Sequence, residues 1–274
     1  MLFIIMTVGE KMINEQEKLM YDFVSRLSKT KSPLVFKGGL ITKLILDEGN
    51  YNSIQRNTVD IDANWIDTPP TMKELTEILS NALGELNDTF TVVPFREYNE
   101  KKSAGISFID KRTNQKSFSI DIEMSPVNDT RTYYYGNMCI SGVVPQEVIT
   151  DKICAISTDK VYKHRFKDFI DTFALSHCVE IGTEEFLYRM EQRNKLLGNF
   201  DGLLNHKSDM IHAYDKMKRL NVRPDFDMMY NDVCDFIRPF MDIHMMNARW
   251  NCQSREWENV DKEFVLTKQI NKGL

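Results

Sequence analysis

Apolar residues recur at helical spacing between residues 10 and 29, where Met12, Ile13, Leu19, Met20, Phe23, Val24 and Leu27 stand among charges. That period predicts a helix packed on a core. Ser32-Pro-Leu-Val-Phe36 reads as entry into the core, and Gly38-Gly39 follow at once. Leu40, Ile41, Leu44 and Ile45 then resume the helical period, with Gly49 as its stop, so the glycines sit where a helix begins. The period changes to two at Val59-Asp60-Ile61-Asp62, a strand whose aspartates share one face. Residues 116–124 repeat this alternation, with Phe118, Ile120 and Ile122 set against Ser119, Asp121 and Glu123.

Other elements fill the intervals. Thr71-Met-Lys-Glu74 is a capping box, and Leu75, Ile78, Leu79, Ala82 and Leu83 carry the helix to about residue 86. Residues 89–95 and 103–109 read as strands, and the polar turn from Asp110 to Gln115 makes a hairpin that presents Asp121. Tyr133, Tyr134 and Tyr135 fit strand packing better than base stacking, and Gly136 and Gly142 bracket a further strand. From Pro145 onward the pattern predicts only helices, with Ile149, Ile153 and Ile156 on one face and Phe166, Phe169, Ile170 and Phe173 on the next. Helices are also expected from Thr183, over 208–220 and after Pro224; Met228, Met229, Met241, Met245 and Met246 are expected in the core.

The chemistry follows from this placement. A helix start offers unpaired N–H groups and the positive dipole end, and glycine lets an anion approach, so Gly38 and Gly39 suit a phosphate as well as a tight turn. Two carboxylates side by side on a strand repel unless a cation sits between them, and hard oxygen ligands favour magnesium. Asp121 supplies a third carboxylate. Such a cluster must converge on ions about 4 Å apart to activate a hydroxyl for in-line attack on a nucleotide α-phosphate.

These residues, Lys37-Gly-Gly39 with Arg56-Asn-Thr-Val-Asp-Ile-Asp62 and the Asp121 strand, resemble the nucleotidyltransferase superfamily with a polymerase-β-like core. More narrowly they resemble the AbiEii/AbiGii toxin family of abortive-infection and toxin–antitoxin systems. The segment from Pro145 to Ile156, followed by Arg165-Phe-Lys-Asp168, is similar to that family's later motifs, so the likeness covers about residues 33–176. It implies an α+β fold with a mixed sheet flanked by helices: a core over residues 1–144, then a helical domain over 145–274 that completes the nucleotide site and meets the acceptor. It further implies an enzyme that moves an NMP from NTP to a tRNA or protein acceptor, and a cognate antitoxin. On this carry-over Asp60, Asp62 and Asp121 are the metal and catalytic carboxylates, and Gly38, Gly39 and Lys152 hold the triphosphate. Arg56 is a phosphate clamp or a salt-bridge partner of the aspartates, and Asp168 positions Lys152 or the acceptor. Family members commonly carry a hydroxyl residue directly after the glycines; here that place is Leu40, which leaves Thr42 to supply the contact.

Composition narrows the picture further. The 274 residues are 42% apolar, enough for a sizeable core, and the net charge of -5 argues against a broadly basic nucleic-acid binder. Lys160, Lys163, His164, Arg165 and Lys167 form the densest basic run, read as a solvated loop or as phosphate and RNA contacts. The five cysteines lie far apart with no zinc spacing, as expected of reduced thiols in the cytoplasm. The apolar opening, Met1 to Val8, is too short to span a membrane. Two alternatives stay open: a small-molecule nucleotidyltransferase, which requires a discrete acidic pocket beside the carboxylates, and a catalytically silent nucleotide-binding module, suggested by Leu40.

Overall fold

Helix α1 (Glu15–Lys29) begins the chain described by the computed structural model. The structure describes residues 15–260 apart from 31, 55, 99–102, 126, 128, 218–219, 221 and 242–246; the apolar opening, Met245 and Met246 lie outside the described residues. Met20, Phe23, Val24 and Leu27 of α1 are buried as their spacing predicts. The Phe23 ring meets Phe108 edge-on at 4.8 Å, and Phe108 stacks on Phe118 at 4.3 Å. Burying each such side chain contributes about 1.5–3 kcal/mol.

Strand β1 (Leu34–Lys37) hands the chain to α2 (Gly38–Glu48), and β2 (Asp60–Trp65) follows. The remaining elements of this half are α3 (Met72–Leu83), β3 (Phe90–Arg96), β4 (Ser103–Asp110), β5 (Gln115–Glu123), β6 (Thr130–Tyr135) and β7 (Met138–Val143). The seven strands form one mixed sheet in the order β3-β4-β5-β2-β1-β7-β6. β2 pairs parallel with β5 and antiparallel with β1. The capping box of α3 is present in both directions, but the α-helix ends at Leu83, where Gly84 takes φ +56° and a tighter turn runs on to Asp88. Packing is the role of two of the three tyrosines: Tyr133 is buried with its hydroxyl donating to Val143 O, and Tyr135 stacks on Tyr21. Tyr134 is exposed.

The later half holds α4 (Pro145–Ile156), α5 (Phe166–Ser176), α6 (Thr183–Gln192), α7 (Asp201–Leu204), α8 (Lys207–Lys216) and α9 (Phe226–Met241). It is not all helical, which corrects the expectation from periodicity. Strands β8 (Ile181–Gly182), β9 (Ala248–Asn251) and β10 (Glu256–Asn259) make a small antiparallel sheet. The β9–β10 pair is held by Trp250 and Trp257, whose rings pack on Phe236 of α9 at 4.9 and 5.9 Å. Met229 is core, whereas Met228 and Met241 are exposed. Among the described residues no helix is long and apolar enough to cross a membrane.

Candidate active site

One row of residues crosses the sheet. Lys37 on β1 is the register partner of Asp62 on β2, Asp62 of Asp121 on β5, and Asp121 of Gly105 on β4. In-register partners share a face, so the alternation read from sequence brings Asp62 and Asp121 side by side. A bulge between Pro94 and Arg96 places Arg96 opposite Gly105. The Phe95 ring fills the space that a side chain at Gly105 would take, 2.5 Å from the place of its Cβ, and Arg96 forms an ion pair with Asp121. Bulges re-aim side chains in this way.

Asp62 lies against the start of α2. Gly38 has φ +67°, in the left-handed region, and a Cβ there would stand 2.1 Å from Asp62 Oδ2. Only glycine fits both conditions. Burial raises the pKa of Asp62 and the charge of Asp60 raises it further, against the opposing pull of Lys152, Lys37 and Lys167. Crowded negative charge of this kind fits a cation, so Asp60 and Asp62 are suitable ligands for magnesium. The third carboxylate differs from expectation: Asp121 is engaged by Arg96, and among the described residues no three carboxylate, histidine or cysteine side chains gather closely enough to hold a metal.

A cavity of about 390 Å³ opens beside Asp62 and Gly38. Five cations line it, Lys37, Lys152, Arg165, Lys167 and Lys195, against the three carboxylates Asp62, Asp151 and Asp168. Two members of the basic run, Arg165 and Lys167, therefore face the site. Lys152 is buried on α4 and donates to Asp168 Oδ1 at 2.8 Å, with Asp171 Oδ2 also 2.8 Å away. Burial alone lowers its pKa, but Asp171 and Asp168 outweigh that and raise it.

Arg56 is in a buried bidentate pair with Asp171, both bonds 2.6 Å, rather than with the strand aspartates or at the large cavity. Its guanidinium lies just behind Gly39, where a Cβ would meet it at 3.1 Å. The structure thus assigns Arg56 the salt-bridge alternative with a different partner. Leu40 is wholly buried, and the Thr42 hydroxyl donates to Gly38 O at 2.9 Å. Neither presents a hydroxyl to the large cavity, so Thr42 does not replace the missing family contact.

A second cavity, about 240 Å³, shares Lys37 and Asp62 with the first and continues past Ser103, Asp121, Ile122 and Glu123. Glu123 pairs with Lys37, which holds its carboxyl below the usual range despite burial. Asp62 therefore stands between a cation-rich cavity and an acidic one.

This chain is a nucleotidyltransferase. The family model described as nucleotidyl transferase AbiEii toxin, type IV toxin–antitoxin system, matches residues 19–243, and the chain belongs to that family. Among solved structures, JHP933 from Helicobacter pylori is 16% identical with TM-score 0.47, covering 84% of this chain and 93% of that one. The nucleotidyltransferase toxin MenT4 from Mycobacterium tuberculosis is 13% identical with TM-score 0.46, covering 80% of each. An antigenic nucleotidyltransferase-like protein from Paracoccidioides brasiliensis is 12% identical with TM-score 0.43, covering 73% of this chain and 91% of that one. No curated protein matches.

Several residues of the site carry little or no signal in the sequence. Asp171 stands one helical turn from Asp168 on α5, a spacing that signals a shared face. Lys37 was visible in the Lys-Gly-Gly motif but carried no assigned role. Asp151, Lys195 and Arg96 left no local signal: the first is an acid on a long helix, the second lies in a loop, and the third owes its position to a bulge.

Proposed function

We propose that this chain transfers a nucleoside monophosphate from NTP to a hydroxyl of a tRNA or protein acceptor, as a magnesium-dependent toxin working in the cytoplasm and restrained by a cognate antitoxin. The observation that carries this reading is the meeting of a cation-rich cavity with Asp62 at the glycine start of α2. Lys37, Lys152, Arg165 and Lys167 bind and orient the triphosphate, with the N–H groups at Gly38 and Gly39 at its end. The acceptor hydroxyl approaches from the acidic side, its oxygen bonds to the α-phosphorus, and the bond from that phosphorus to the bridging oxygen of the β-phosphate breaks. Pyrophosphate leaves, and the hydroxyl proton passes to Asp121. Magnesium, held by Asp60 and Asp62, would neutralise charge on the attacking and leaving oxygens.

A second reading is favoured by the smaller cavity, where the carboxylates Asp62, Asp121 and Glu123 outnumber the one cation, Lys37, as a small cationic acceptor requires. One experiment separates the two. Purified protein is incubated with magnesium and each α-labelled NTP, with bacterial RNA, lysate protein or small-molecule extract as acceptor, beside an Asp60→Ala/Asp62→Ala control. Label on tRNA or protein only with the intact aspartates is the expected result. Label confined to small molecules supports the second reading, and NTP binding without label on any acceptor makes the chain a silent binding module.

A further inference from the structure

An exposed aromatic ring stands beside Asp121. Asp121 and Gly105 are register partners on antiparallel strands, so a side chain at Gly105 would point to the same face as the Asp121 carboxylate, about 5 Å from it. Gly105 has none, and the edge of the Phe95 ring occupies that place, with two ring carbons 2.5 Å from the Cβ position. The bulge between Pro94 and Arg96 allows this, because it sets Phe95 outside the regular pairing of β3 with β4. Phe95 is nevertheless 54% exposed, and the Arg96 guanidinium lies 5.7 Å from the centre of its ring. A ring this open to solvent on an edge strand gains little from burial, so its place beside Asp121 calls for another explanation.

A flat apolar ring offers stacking, and what can stack on it depends on what bears the reacting hydroxyl. Seryl and threonyl hydroxyls carry no ring. In RNA the free 3′ hydroxyl sits on the terminal ribose, whose base is one glycosidic bond away, and every base has a π-face. The charge beside the ring tolerates a phosphodiester: Arg96 is paired with Asp121 and Lys37 with Glu123, so neither carboxylate is left unbalanced. Resting on the transferase reading, we propose that Phe95 is a stacking platform for the unpaired 3′-terminal base of an RNA acceptor, which holds the terminal hydroxyl beside Asp121. A base inside a duplex has both faces covered by its neighbours, so the chain selects acceptors that end in a single-stranded nucleotide.

The test is the KM of the full chain for bacterial tRNA, intact or with its 3′-terminal base removed, read by transfer from labelled NTP with magnesium. Wild type is expected to show a KM about five- to a hundredfold higher for the base-free tRNA, the worth of stacking one base. Phe95→Leu is expected to raise the KM for intact tRNA by the same factor and to ignore removal of the base. Its kcat and its KM for NTP are expected to hold, and Phe95→Trp to keep the wild-type KM for tRNA. A merely structural role for Phe95 would not abolish the response to the base. Equal KM of wild type for the two tRNAs overturns the inference and leaves the transferase reading standing; this comparison needs no variant to fold. A response to base removal that persists in Phe95→Leu also overturns it, as does label that reaches protein or small molecules but never tRNA. No label on any acceptor overturns both readings.

Discussion

Asp171 shows what a single buried charge does in this protein. Burial alone raises its pKa, but the bidentate Arg56 pair and Lys152 outweigh that and drive it far below the ordinary range. A depressed folded pKa gives stability that is fully present above the unfolded pKa of about 4 and is lost as pH falls through the folded one. Arg56→Met leaves Asp171 short of a partner and is expected to cost about 3–5 kcal/mol at pH 7. Because protonation of Asp171 relieves that cost, the difference from wild type is expected to shrink as pH falls below about 4. Urea unfolding of both proteins at pH 7, 5 and 3.5 reads this directly; a difference constant with pH would exclude Asp171 as the group responsible. The partner of Arg56 was not legible in the motif, because the two residues lie 115 positions apart.

The decisive element is the handover from β1 to α2. The glycine pair, the helical period and the stop at Gly49 were all legible, and α2 runs from Gly38 to Glu48 as they imply. What the pattern left open was which glycine matters and why. Gly38 combines a left-handed φ with the close approach of Asp62. Gly38→Ala is therefore expected to displace the Asp62 carboxylate and cut label transfer by about a hundredfold, the scale of an ångström-sized misplacement of a reacting group. Circular dichroism would show the fold retained; activity at the wild-type level would mean that Asp62 does not act from this position. The β9–β10 pair is the counterexample at this scale. Four-residue strands are too short to display a period of two, and Trp250 and Trp257 pair through distant contacts with α9.

Across the whole molecule, the division expected after residue 144 falls at Val144, between β7 and α4. The buried apolar cluster crosses that point without a break, joining Leu40 and Leu44 of α2 with Ile153, Phe169 and Phe173 of α4 and α5. The Arg56–Asp171 pair crosses it as well. Calorimetry of the full chain is expected to show one unfolding transition, and a fragment of residues 1–144 is expected to show none, since it lacks the face that buries α2. Two separable transitions would establish independent domains. The cation-rich cavity depends on the same joint, because Lys37 and Asp62 come from the sheet half while Lys152, Arg165 and Lys167 come from the helical half.

Alternation and capping are local, so the sequence by itself determined the helix start at the glycines, the shared face of Asp60 and Asp62, the Asp121 strand and the family. Register between strands, the bulge that turns Arg96 onto Asp121, the pairing of Arg56 with Asp171 and the arrival of Lys195 at the cavity were decided only by the tertiary structure. Each of these joins residues far apart in the chain, and side-chain periods of 2 and 3.6 carry no information about which distant segments become neighbours. That choice is made by strand order and by the burial of the apolar faces against one another.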